Sequence, residues 1–135
     1  MKKIIFLFGL ISFVNEVHAA NENEKYTAEE LVDQQIVAYN EGDIDAFMAT
    51  YAEDVKLYNF PNKETTSGFL DMKIIYQRLF KNNPDLKAEV TNKIIQGGVL
   101  IYHEKITGLS KGGEFSAVAI YEVADKKIQK VTFIQ

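Results

Sequence analysis

Ala38-Tyr39-Asn40-Glu41-Gly42-Asp43-Ile44-Asp45-Ala46-Phe47 is the stretch whose reading decides the fold. Asn40-Glu41-Gly42 stops one helix, because glycine enters the left-handed conformation that closes a helix. Asp43 opens the next, where a carboxylate can accept from the unpaired amides of a first turn. Upstream, Thr27 and Glu30 have the spacing of a capping box. Leu31, Val32, Ile36 and Tyr39 then form the buried stripe of the first helix. Downstream, Ile44, Phe47, Met48 and Tyr51 form the stripe of the second. Asp54 to Phe60 reads as a short strand ended by Pro61-Asn62. Gly68 precedes a third helix with Met72, Ile75, Tyr76 and Leu79 on one face, and Asn82-Asn83-Pro84 ends it.

After Pro84 the period changes to two. Leu86 to Gln96, Val99 to Thr107, Phe115 to Val123 and Ile128 to Ile134 read as four strands. Gly97-Gly98, Gly112-Gly113 and Ala124 to Lys127 are the turns, and turns this short make neighbours antiparallel. Helices followed by a strand meander give an α+β layer architecture in one domain.

The chain of 135 residues is 47% hydrophobic and 25% charged, which is globular composition and no disordered or fibrous tract. No cysteine is present, which excludes disulfides and thiolate metal sites. The net charge of −4 offers no basic footprint for nucleic acid. Met1-Lys2-Lys3, the apolar run Ile4 to Val14 and the small residues of Val17-His18-Ala19 have the three parts of a secretory signal. The run falls short of the roughly 20 residues that a permanent span needs. The expected organisation is a signal peptide over 1–19, a polar flexible lead over 20–27 and the folded domain over 28–135. That places the protein in the periplasm or outside the cell, without a membrane anchor.

Phe115, Ala117, Ala119, Tyr121 and Val123 share one face of their strand, and Val118 and Ile120 lie on the other. Leu100, Tyr102 and Ile106 are assigned to that other face too. A sheet apolar on both faces, with helices for one, predicts a homodimer through the second.

The quoted stretch, with Tyr51-Ala52-Glu53-Asp54-Val55 after it, Ser67-Gly68 before the third helix and Ile120-Tyr121-Glu122-Val123 near the end, resembles the nuclear transport factor 2-like superfamily. The branch is that of SnoaL-like and ketosteroid-isomerase-like proteins, and the resemblance covers Ala28 to Gln135. It implies a cone-shaped curved antiparallel sheet wrapped around an N-terminal three-helix group, a cystatin-like roll with an interior pocket. Dimers through the sheet are common in that family.

The isomerases of that branch use a carboxylate base and an oxyanion hole of tyrosine and protonated aspartic acid. The resemblance puts Asn59 at the base, Gln35 at the tyrosine and Ala119 at the aspartic acid, so all three groups are missing. Two supporting tyrosines match, at Tyr51 and Tyr76. Gln35 stands out independently as an amide on an apolar stripe, either tied to backbone or aimed into a cavity. His103 alternates with Val99 and Ile101, and the resemblance puts that face inside the cone, which makes His103 the candidate general acid or base. Glu104 points the other way, to the sheet surface or the dimer seam. Tyr39, Tyr58, Tyr76 and Tyr121, with Gln35, Asn59 and His103, describe an apolar pocket with a few polar groups.

The expected function is exported binding of a small apolar or aromatic molecule, in a pocket lined by Gln35, Tyr39, Asn59, Tyr76, Ala119 and Tyr121. One alternative is a cofactor-independent isomerase, cyclase or dehydratase using His103. Another is a dimeric protein-interaction module. No cofactor or metal site is expected, since no phosphate-binding glycine loop and no ligand-rich spacing occurs.

Overall fold

The computed structural model describes residues 27–135. The expected signal peptide and nearly all of the polar lead lie outside the described residues. The element order is α1 (Ala28–Glu41), α2 (Ile44–Ala49), β1 (Tyr51–Asn59), β2 (Lys63–Ser67), α3 (Phe69–Asn82), β3 (Lys87–Gln96), β4 (Val99–Thr107), β5 (Phe115–Ala124) and β6 (Lys127–Ile134).

Local chemistry sets the helix ends. The Thr27 hydroxyl accepts from the Glu30 amide at 3.2 Å, and Glu30 Oε2 accepts from the Thr27 amide at 2.9 Å. Gly42 closes α1 at φ 66°, a left-handed turn that any side chain would strain. Asp43 Oδ1 accepts from the Ala46 amide at 3.0 Å to open α2. Asn83 Nδ2 donates to the Leu79 carbonyl at 2.9 Å and finishes α3.

The six strands form one open, curved sheet in the order β2-β1-β6-β5-β4-β3. The architecture is the expected α+β one, with two additions. β2 is a sixth strand that its polar sequence Lys63-Glu64-Thr65-Thr66-Ser67 conceals, since its residues are almost all exposed and carry no apolar alternation. β1 runs parallel to β6, so the sheet is mixed. The reason is that β1 turns back through β2 into α3, leaving its other edge for the last strand of the meander.

The helices cover one face of this sheet. Val32, Phe47, Met48 and Met72 from the helices meet Val55, Leu100, Tyr102, Tyr121, Ile128 and Val131 from the strands, all almost fully buried. Phe47 is the hub. Its ring centroid lies 4.7 Å from Tyr76, 5.1 Å from Tyr51 and 5.4 Å from Phe80.

The phase of β4 is opposite to the one expected. Leu100 pairs with Tyr121, Tyr102 with Ala119, Glu104 with Ala117 and Ile106 with Phe115, and directly paired residues share a face. That set faces the helices. Val99, Ile101 and His103 face outward, and His103 is exposed. β4 is apolar in both phases, so alternation alone did not fix it. The expected phase came from the resemblance, which put the face of His103 inside the cone, and an outward Glu104 followed from it.

Candidate functional site

A cavity of about 160 Å³ lies between the helix layer and the inner face of the sheet. α1 contributes Gln35, Ile36 and Tyr39; α3 contributes Tyr76 and Leu79. The strands add Tyr51, Ala88, Glu104, Ile106, Ala117 and Tyr121, with Phe115, Phe133 and, just past β6, Gln135 towards the more exposed end. Small residues make the room. Ala117 stands opposite Glu104 in the register, and Ala88 stands opposite Ile106.

Glu104 is the acidic group of the cavity. It is 5% exposed, and the Tyr121 hydroxyl donates to its Oε1 at 2.8 Å. Burial pushes its carboxyl up from 4.5 to about 7, and the Tyr121 hydrogen bond holds it from going further. The tyrosines respond in the same direction. Burial, and then the Glu104 charge, push the hydroxyls of Tyr39 and Tyr121 well above the ordinary tyrosine range. Tyr51 and Tyr76 are raised likewise, again chiefly by burial. Glu104 is therefore the group in the cavity that changes charge near neutrality. Gln35 is 4% exposed, and its Oε1 has no hydrogen-bond partner among the described residues. An orphaned buried acceptor costs on the order of 1–3 kcal/mol, and this one lies in the cavity wall.

Two polar clamps hold the walls together. Asn40 on α1 donates from Nδ2 to the Ala88 carbonyl at 2.9 Å and accepts from the Ala88 amide at 2.6 Å. It thus behaves as a neighbouring strand would. At the other end of α1, Asp33 accepts from the Tyr102 hydroxyl at 2.7 Å and from Lys93 at 2.8 Å.

Of the residues singled out from sequence, Gln35, Tyr39, Tyr51, Tyr76 and Tyr121 come together in the cavity wall. Four do not. Tyr58 lies on β1 outside the lining, and its hydroxyl donates to Glu64 at 3.1 Å. Asn59 is exposed at the end of β1, paired with Lys63 and Phe133. Ala119 is fully buried on the inner face but sits opposite Tyr102, away from the lining. His103 is on the outer face of the sheet. Glu104, Ile106, Phe115 and Phe133 are among the lining residues missed. The signal for Glu104 was present: it stands two residues from both Tyr102 and Ile106, in the bulkier apolar phase of its strand. Among the described residues no group of three or more metal-ligating side chains occurs, and no helix is long and apolar enough to cross a membrane.

A candidate SnoaL-like polyketide cyclase from Jannaschia sp. CCS1 shares this fold at TM-score 0.65, with 17% identity over 78% of this chain and 83% of its own. An uncharacterised cystatin-fold protein from Novosphingobium aromaticivorans superposes at TM-score 0.75, with 22% identity over 82% of this chain and 99% of that one. A candidate ketosteroid isomerase from Kribbella flavida gives TM-score 0.68 and 21% identity, over 79% and 76% of the two chains. At these identities the likeness is one of fold. No curated protein matches the chain. The model of the SnoaL-like domain matches residues 32–131, from the buried stripe of α1 to the middle of β6. By that match, the chain belongs to the SnoaL-like family of the nuclear transport factor 2-like fold.

Proposed function

We propose that this protein binds a small, largely apolar molecule in the cavity around Glu104, and that it does so outside the cytoplasm. The observation that carries the reading is a buried carboxyl set among four tyrosines in an apolar cavity, beside an acceptor on Gln35 that no group of the described residues satisfies. A polar group left over in an apolar cavity wall is what orients a ligand. The volume suits a molecule about the size of one six-membered ring, since an engineered cavity of roughly 150 Å³ holds benzene. Export rests on the signal-like pattern over 1–19. The test is to compare native and denaturing mass spectra of the purified protein. A small molecule that is present in the first and released in the second is expected. A protein that stays empty when offered ring-sized compounds would defeat the reading.

A second reading is favoured by one specific observation, the carboxyl of Glu104 being held near 7. A general acid or base works best with its pKa near the working pH. In this reading Glu104, not His103, would exchange a proton with a bound carbonyl compound, as cofactor-independent isomerases and lyases require. Turnover lost in Glu104→Gln but kept in His103→Gln would separate it from simple binding.

The outer face supports the expected homodimer. Ile94, Ile101, Ile120, Thr132 and Tyr58 form one directly paired row across five strands, with Ile94 66% exposed. A second copy laid over this row would bury it.

A further inference from the structure

Resting on the reading that the cavity holds a small molecule, we infer that its ligand is a small organic amine, bound as the ammonium ion with Glu104 as counter-ion. Three features of the wall converge on this. Among the described residues Glu104 has no cationic neighbour there: none of those lining the cavity is Lys, Arg or His. The nearby lysines are engaged elsewhere, Lys93 with Asp33 and Glu29, Lys105 with Glu114, and Lys130 with Glu122. A buried carboxylate without a cation is costly, and a bound cation removes that cost.

The second feature is the number of acceptors. Gln35 Oε1 has no donor among the described residues, and Glu104, which accepts from Tyr121 through Oε1, has acceptor capacity left as a carboxylate. A hydrocarbon satisfies neither. An alcohol has one hydrogen to give and leaves one acceptor wanting. A primary ammonium has three and can meet both. An anion would be repelled by Glu104. The third feature is aromatic. Tyr39, Tyr51, Tyr76 and Tyr121 line the same space, and the aromatic quadrupole attracts organic cations, more so where water is excluded. The remaining wall, Ile36, Leu79 and Ile106 among it, would take the hydrocarbon part.

The charge on Glu104 then controls affinity. The titratable groups facing it are Tyr39 on α1, Tyr51 on β1, Tyr76 on α3, Tyr102 on β4 and Tyr121 on β5, and burial holds every one of them protonated. Amine affinity should fall about tenfold per pH unit once Glu104 protonates. A neutral ligand would show no such fall.

Cyclohexylamine, cyclohexanol and cyclohexanecarboxylate are matched probes for this. Each is titrated into the purified protein while the methyl signals of Ile36, Leu79 and Ile106 are followed by NMR. At pH 8 the amine should bind at least about tenfold more tightly than the alcohol, the gain of one charge-assisted contact, with no shifts from the carboxylate. Its affinity should decline below neutral pH, and Glu104→Gln should level amine and alcohol. An alcohol that binds as well as the amine, or an amine insensitive to pH, would overturn the inference and leave the binding reading standing. No shift from any probe at about 10 mM, where seven heavy atoms in a fitting cavity should register, would overturn both. The probe series needs only the wild-type chain, so it stands even if the variant fails to fold.

Discussion

Tyr121 and Glu104, on adjacent strands and both buried, share a 2.8 Å hydrogen bond in which the phenol donates to the carboxylate oxygen Oε1. The bond favours the charged form of Glu104 against the burial that opposes it. Tyr121→Phe should therefore raise the Glu104 pKa above its value of about 7. It should also cost about 2 kcal/mol of stability above neutral pH, the net worth of one hydrogen bond to a charged group. Carboxyl carbon shifts followed through a pH titration read the first effect, and urea denaturation reads the second. A pKa that stays put or falls would show that the phenol does not stabilise the carboxylate.

The same carboxyl makes stability depend on pH with a definite sign. Its folded pKa lies above its unfolded value near 4.5, so the folded protein binds the proton more tightly. Stability from this group is fully present below about 4.5. It is lost as pH rises to about 7, amounting to roughly 3 kcal/mol in all. Glu104→Gln, which keeps an acceptor for Tyr121, should abolish that loss. The variant's stability relative to wild type should climb between pH 4.5 and 7 and then level off. Denaturant midpoints at half-unit steps of pH measure this difference directly, and a flat difference would contradict it.

His103 marks where the sequence stopped being legible. Every helix could be read from residues that act locally: Thr27 with Glu30, Gly42, Asp43, and Asn83 before Pro84. Such signals need no knowledge of what packs where. The strand phase of β4 does need it. Val99 and Ile101 are as apolar as Leu100 and Ile106, so the choice between faces is made by the helix layer and by the register with Ala117 and Ala119. An inward Glu104 is tolerable only because Tyr121 reaches it, and that contact joins residues 17 apart. β2 was invisible for a different reason, being held by backbone pairing to β1 with hardly any side-chain burial. The outward placement of His103 predicts that His103→Gln changes ring-probe affinity less than twofold, about 0.4 kcal/mol at most. The NMR titration that tests the cavity tests this too.

Gly108 and Gly112 both have positive φ, 79° and 77°, yet they should respond differently to alanine. A Cβ on Gly108 would lie 1.8 Å from the Asp85 carbonyl oxygen, whereas no atom of the described residues lies within 4 Å of one on Gly112. Gly112→Ala should cost only the backbone strain, about 1 kcal/mol. Gly108→Ala must also push apart the segment after α3 and the end of β4, and roughly 3 kcal/mol or more is expected. Paired thermal melts measure the gap. Equal losses at the two sites would mean that the Asp85 segment yields freely.

Asn40 tests how the cavity is kept open. Its amide makes two bonds to the backbone of Ala88, and the Ala88 side chain is part of the cavity wall. α1 is thereby fixed to β3 at a set distance, and neither helix propensity nor apolar contact would fix it so sharply. Asn40→Ala leaves a part-buried amide and carbonyl without partners, which should cost about 2 kcal/mol. Asn40→Asp keeps the acceptor for the Ala88 amide but loses the donor, so it should fall between alanine and wild type. Two effects should then travel together. The Ala88 amide should exchange its hydrogen faster, and probe binding should weaken in both variants in the same order as stability. If stability falls while probe affinity does not, the clamp holds the fold together without shaping the cavity, and Gln35 and Glu104 keep their positions by packing alone.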